Sequence, residues 1–399
     1  MVSQTVNRTC LMLALAYALA MFQRIAFASV EPLVSEHFHL TATQVGDLSS
    51  AFFWAYLLAQ IPSGVLTDIV GARPTAVAGL LIAAVGSLLF LVAVSFEMLI
   101  LSRSVTALGC AMSFAAMMRY ACLHYSEKSG PVIGRNMFLG NLGAIAAGMP
   151  LALLLSSVSY HQIWIAVTLL TCVLALLICI EPRRGRQHSI GTENPTCGKD
   201  FREIVQSPWC YAGMLVVGAT TGCFYAFAGY AQLVVMTQHG VSHESRFWLL
   251  SYLPGGYALG AYFWGVAGEK TEKKHGLLAL AIIGLVACWE VLLISDHLSQ
   301  NVLSSVYFLV GFCAGSASLI FQIFSSRYRK ELKASAISIV ACGISLGAAV
   351  GSMLSVRVLA TTIVYPFLLA GLLALAITVI CSFAGKTRSY KKEQPVLQV

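Results

Sequence analysis

Several stretches of this chain run without a single charged residue for about the length that carries a helix across ~30 Å of hydrocarbon. They include Thr75 to Phe96, Trp209 to Gln238, Leu298 to Ser326 and Ala334 to Val356. Inside lipid an exposed peptide group finds no water to bond, so such stretches are expected to be helices, whose backbone bonds close within the segment. Composition points the same way. Of 399 residues, 58% are hydrophobic and 11% charged, whereas soluble domains carry about a quarter charged residues. Too little charge is present to cover a water-facing surface.

Read in order, the apolar segments give about twelve spans, near 9–30, 45–66, 75–94, 98–122, 135–157, 162–180, 209–236, 246–267, 276–295, 299–324, 334–357 and 361–384. The expected class is an all-α integral membrane protein. Most connections are short. The exception, Glu181 to Pro208, mixes Pro, Gly, Asn and Thr with a basic cluster and is expected to be a cytoplasmic linker. It would divide an N-terminal six-helix bundle, residues 1–180, from a C-terminal one, residues 209–399, that ends in a short basic tail.

The formal charge of +8 does not point to nucleic acid. With the N-terminus inside, every Lys and Arg except Arg24, Arg103, Arg246 and Arg357 falls in an inner segment or at an inner helix end. This bias places both termini in the cytoplasm and the chain in the inner (cytoplasmic) membrane as a multi-pass protein. Arg8 followed by the apolar run Cys10 to Phe22 has the outline of a signal peptide, but Arg24 interrupts its tail and no small-residue cleavage site follows. The segment is expected to remain as span one. The twelve cysteines stand singly with no CxxC pair, as packing residues do. Neither a metal nor a cofactor is expected. His37, His39, His161, His239, His243 and His297 fall in outer loops with no metal-ligand spacing, and are expected to be solvated.

The halves carry traces of internal repetition, common in repeat-built transporters. Gly64 and Asp68 after span two are matched by Gly265 and Glu269 after span eight. Gly140, Ala144 and Gly148 in span five are matched by Gly343, Gly347 and Gly351 in span eleven. Small residues at every fourth position let helices approach closely. They suit either a surface where two bundles rock or ordinary tight packing.

The segment Gln60 to Pro74, QIPSGVLTDIVGARP, falls in a tight turn between spans two and three. It resembles the signature loop of the major facilitator superfamily: a glycine, an acid four residues on, then Gly71 and the basic Arg73. Ile69 and Ala72 stand where further basic residues are common. FHLTATQVG (Phe38 to Gly46) and SAFFWAY (Ser50 to Tyr56) are similar to the run into span two of anion-carrying branches of that family. In span four, Arg103 with Gly109 resembles its arginine motif, although Ala107 replaces a common glycine. The resemblance implies two pseudo-symmetric bundles, alternating access, and a cytoplasmic gate built from Gly64, Asp68, Gly71 and Arg73, with Glu269 as the counterpart in the second half.

A charge at bilayer depth costs at least ~2.5 kcal/mol on insertion scales, so each such residue is a functional candidate. Arg24 lies in the second half of span one and Arg103 in the outer part of span four. The resemblance implies that spans one, four, seven and ten line a central cavity. Two guanidiniums there would hold a carboxylate or phosphate bidentately; otherwise Arg24 snorkels to headgroups and Arg103 bonds backbone carbonyls. Arg119 and Arg357 read as interfacial anchors, and Glu290 as an acid near the outer interface. Tyr17, Tyr225, Tyr230 and Gln322 are further candidates for the cavity, as are Tyr56 and Gln60, each with ordinary packing as its alternative. Tyr225 stands at the repeat offset from Arg24.

These features imply a secondary transporter and not an enzyme, since no nucleophile and base pair or metal cluster is evident. Its small-molecule substrate would be an organic anion moved together with protons or in exchange for another anion. Efflux of amphipathic drugs or metabolites, or a non-transporting sensor on a carrier scaffold, are the alternatives.

Overall fold

The structure is a computed structural model that describes residues 2–125, 129–181, 204, 206–295, 297–328, 333–357 and 363–392. Nearly all of the linker, with Arg183, Arg184, Arg186, Lys199 and Arg202, lies outside the described residues. So do Arg329, Lys330 and the side chains of Asp68, Tyr230, His243 and Arg357.

The described residues form helical rods in the expected order, with no strand among them. Spans one to four are Val2–Phe38, Ala42–Val70, Ala72–Leu91 and Phe96–His124. Span five is Ser129–Ala146 continued by Met149–Leu155, and span six is Tyr160–Ile180. Span seven begins as Pro208–Val217 and ends as Gln232–Gln238. Spans eight and nine are His243–Lys270 and Lys274–Ile294. Span ten is Gln300–Ala314 with Ala317–Ser325, and spans eleven and twelve are Lys333–Arg357 and Tyr365–Lys392. Thr41 and Ser159 start spans two and six with reciprocal capping boxes to Gln44 and Gln162, which satisfy backbone donors that a helix start leaves open.

Large apolar side chains such as Leu58, Leu169, Leu176 and Leu372 point outward, a surface that suits acyl chains and not water. Among the described residues, ten helical stretches are long and apolar enough to cross a membrane. Spans two and eight are not among them. Those two rods pack across the middle of the molecule, span two against span eleven and span eight against span five.

The break in span five has a local cause. Pro150 sits in the first turn after the break in span five, where a proline cannot donate to the preceding carbonyls. The Met149 amide donates instead to Ser251 Oγ of span eight at 2.7 Å. A Cβ on Gly148 would lie 2.9 Å from that same oxygen, so the close approach requires glycine. Span seven widens into π-helical turns at Gly218–Gly222 and at Phe227–Ala231, a distortion that recurs where a helix carries function. Tyr225 stands between the two.

The glycine stripes differ in their partners. Gly347 and Gly343 abut Gly218 and Met214 of span seven, within the second bundle, while Gly140 lies under the Tyr17 ring within the first. Of these glycines, Gly148 alone meets the opposite bundle. Close packing inside a bundle therefore accounts for most of this pattern.

Candidate functional site

Span one carries Arg24 into the middle of the molecule, where the residue is 8% exposed. Its guanidinium carbon lies 4.9 Å from the Phe53 ring, 5.1 Å from Tyr56 and 4.0 Å from Tyr225. Phe53 and Tyr56 come from span two and Tyr225 from span seven, so the cage joins both bundles. Aromatic faces attract the cation by ~2 kcal/mol or more each when water is excluded. They cannot accept its N–H bonds in the plane of the group. Nε and Nη2 are buried without a hydrogen-bond partner.

Those two nitrogens share one edge of the guanidinium, the side-on fork that matches two oxygens of a carboxylate or phosphate. A buried charged donor left unpaired is strongly unfavourable. The edge has room in its hydrogen-bonding for two acceptor atoms. Snorkelling to headgroups, the alternative reading of Arg24, does not describe this geometry.

Arg103, also buried, stands behind the same layer. Its guanidinium carbon is 4.7 Å from Phe27 and 4.6 Å from Phe52. Nη1 donates to the Gln23 carbonyl at 3.3 Å, and Nε has no partner. Phe52 and Phe53, successive on span two, thus send one ring to each arginine. The Gln23 amide reaches Ser87 of span three at 3.5 Å and Thr171 of span six at 3.4 Å, and Cys110 of span four lies 3.6 Å from its oxygen. Arg103 and Gln23 together fix the backbone on which Arg24 is mounted.

Tyr17 is buried one layer away, 5.4 Å from Phe114 by ring centroids. Tyr225 packs 5.7 Å from Tyr257 and Phe224 4.8 Å from the same ring. Gln60 of span two meets Ser345 of span eleven at 3.5 Å. Gln322 is placed elsewhere, its amide donating to the Gly265 carbonyl at 2.9 Å, which ties span ten to span eight. A wider groove of about 330 Å³ lies between spans one, five and six, lined by Phe22, Leu154, Leu170 and other mostly apolar residues. No charged residue lines it, and neither Arg24 nor Arg103 is among its walls.

At the face bearing the N-terminus, the turn between spans two and three is made by Gly71 at φ 96° and ψ 162°, a region open to glycine and strained for other residues. Arg73 follows and bonds the Thr9 hydroxyl of span one and, at 3.4 Å, the Glu181 carbonyl after span six. Three segments of the first bundle are thereby fastened at one end. Gly64 has open space beside it, and Glu269 is exposed, as is Glu290.

Phe53 entered the sequence reading only within the SAFFWAY run, and sequence alone did not single out Gln23 or Tyr257. Their only signal was an aromatic or amide residue inside an apolar run, and such residues are common at helix contacts.

The profile of the Major Facilitator Superfamily matches residues 13–253 and 225–397. A protein named "Uncharacterized transporter" from Rickettsia felis (strain ATCC VR-1525 / URRWXCal2) is 25% identical over 282 residues, 69% of this chain and 67% of its own. One of the same name from Rickettsia bellii (strain RML369-C) is 24% identical over 309 residues, 73% of this chain and 74% of its own. Among solved structures, a bacterial homolog of the human lysosomal transporter Spinster, in an inward-facing and unoccupied conformation, superposes with a TM-score of 0.67. It covers 99% of both chains at 17% identity, a likeness of fold. The chain belongs to the major facilitator superfamily of transporters.

Proposed function

We propose that this protein carries a small organic anion across the cytoplasmic membrane by alternating access, with Arg24 binding the anionic group and Tyr225 closing on it from the second bundle. The observation that carries this reading is the buried Nε and Nη2 edge of Arg24, without a partner and caged by rings from both bundles. A ligand there would touch both bundles at once, so loading and release can be tied to their relative tilt. The bond between the Met149 amide and Ser251 would belong to the outer closure. Gly64, Asp68, Gly71, Arg73 and Glu269 would form the cytoplasmic gate, with residues 1–180 and 209–399 moving as the two bodies and 181–208 linking them. Both termini would lie in the cytoplasm. Arg103 would act mainly by holding the Gln23 carbonyl beside Arg24.

The test is uptake of labelled carboxylates and organophosphates into proteoliposomes by the wild type and by Arg24→Ala. The expected result is saturable uptake of at least one anion that falls to background in the variant. Uptake of that anion unchanged by Arg24→Ala would remove Arg24 from the site, and flux of uncharged amphipathic compounds alone would favour efflux of that class.

A further inference from the structure

A small cavity of about 10 Å³ lies beside the Arg24 cage, at the junction of spans one, five, seven and eight. Ile25, next to Arg24 in the chain, and Tyr225, which covers Arg24, both line it, and so do Asn141 and Gln232. That volume holds one water-sized group.

Gln232 is 2% exposed, and its side chain is oriented by its surroundings. Nε2 donates to the Ala228 carbonyl at 2.6 Å. Reversing the amide would set two oxygens against each other at that distance, so the hydrogen-bond network fixes which atom is the oxygen. The remaining atom, Oε1, is buried with no partner. Tyr307 of span ten donates to the Gln232 carbonyl at 3.1 Å and anchors the residue after the second π-helical turn. The protein thus holds a buried acceptor without a partner on a residue that lines a space for one small group, beside the aromatic cage of Arg24.

We infer that Gln232 Oε1 is a specificity subsite for a hydroxyl on the transported anion. This rests on the assignment of Arg24 as the anion site. A hydroxyl fits where an ammonium does not: the described residues lining the cavity include no carboxylate, and the Arg24 cation is close by. The cavity also limits what enters to a single small group, so the anion carries its hydroxyl near its charged end. A buried acceptor built for a donor discriminates against the analogue that lacks it, because that analogue leaves the acceptor unpaired.

The test is calorimetric binding to the purified full-length protein, using carboxylates paired to differ by one hydroxyl: lactate with propionate, 3-hydroxybutyrate with butyrate, and mandelate with phenylacetate. In at least one pair the hydroxylated member should bind about tenfold tighter. That preference should vanish in Gln232→Leu, or in Gln232→Met should the first variant not fold, while Arg24→Ala abolishes binding of both members. Equal affinity within every pair, still dependent on Arg24, overturns the hydroxyl subsite and leaves the anion site standing, as does a preference that survives loss of Gln232. Absence of binding by every compound overturns the anion site, and the subsite with it.

Discussion

The Arg24 guanidinium lies 4.0 Å from the centre of the Tyr225 ring, and this contact crosses from the first helical bundle to the second beside a buried edge of the cation that has no hydrogen-bond partner. A cation with one edge open, held by a partner on the other bundle, is the element from which ligand binding and bundle movement can be coupled.

Substituting Arg24 by Lys separates charge from geometry. Lysine keeps the positive charge but offers a point donor in place of a planar fork. Anion binding should weaken by about tenfold in Arg24→Lys and be lost in Arg24→Ala, as measured by the KM of proteoliposome uptake. Full activity in the lysine variant would mean that the fork is not used.

At Tyr225 the ring, and not the hydroxyl, faces the cation. Tyr225→Phe should keep affinity within about threefold, whereas Tyr225→Leu removes a cation–π contact of ~2 kcal/mol and should weaken it by about thirtyfold. Titration of the bound anion in both variants checks the order.

Two glycines should respond oppositely to the same change. A Cβ on Gly347 would stand 2.2 Å from the Gly218 carbonyl oxygen, so Gly347→Ala should destabilise by ~1–3 kcal/mol through overpacking. A Cβ on Gly64 would meet nothing within 4 Å, and Gly64→Ala should be neutral or stabilising by up to ~1 kcal/mol. Thermal unfolding in detergent distinguishes them.

Ser251 satisfies the Met149 amide at the break in span five. Ser251→Ala leaves that donor without its partner, at ~1–3 kcal/mol, while Ser251→Thr keeps the hydroxyl. The alanine variant should unfold at lower temperature and the threonine variant close to the wild type.

Much of the fold was legible in the sequence because lipid imposes a coarse and strict rule on segments such as Thr75 to Phe96. The breaks were not. Those in spans five and seven follow from Pro150 and from π-helical turns that periodicity does not register, and the glycine stripe of span eleven showed close packing without showing that span seven was its partner. Arg24 was legible as a charge at depth. Of its cage, Tyr225 and Tyr56 were legible as polar aromatics in the spans, while Phe53, an ordinary apolar residue at helical spacing, declared its contact with Arg24 only in the structure. Gln232 was invisible for a different reason: an amide in an apolar run becomes informative only when one of its atoms is found without a partner.

The most direct measurement is a structure of the protein bound to the anion with the highest affinity in the binding series. The expected density places two oxygens of the anionic group within about 3 Å of Arg24 Nε and Nη2, beneath the Tyr225 ring. An anion bound elsewhere, with the Arg24 edge turned to headgroups or to a protein carboxylate, would contradict the assignment.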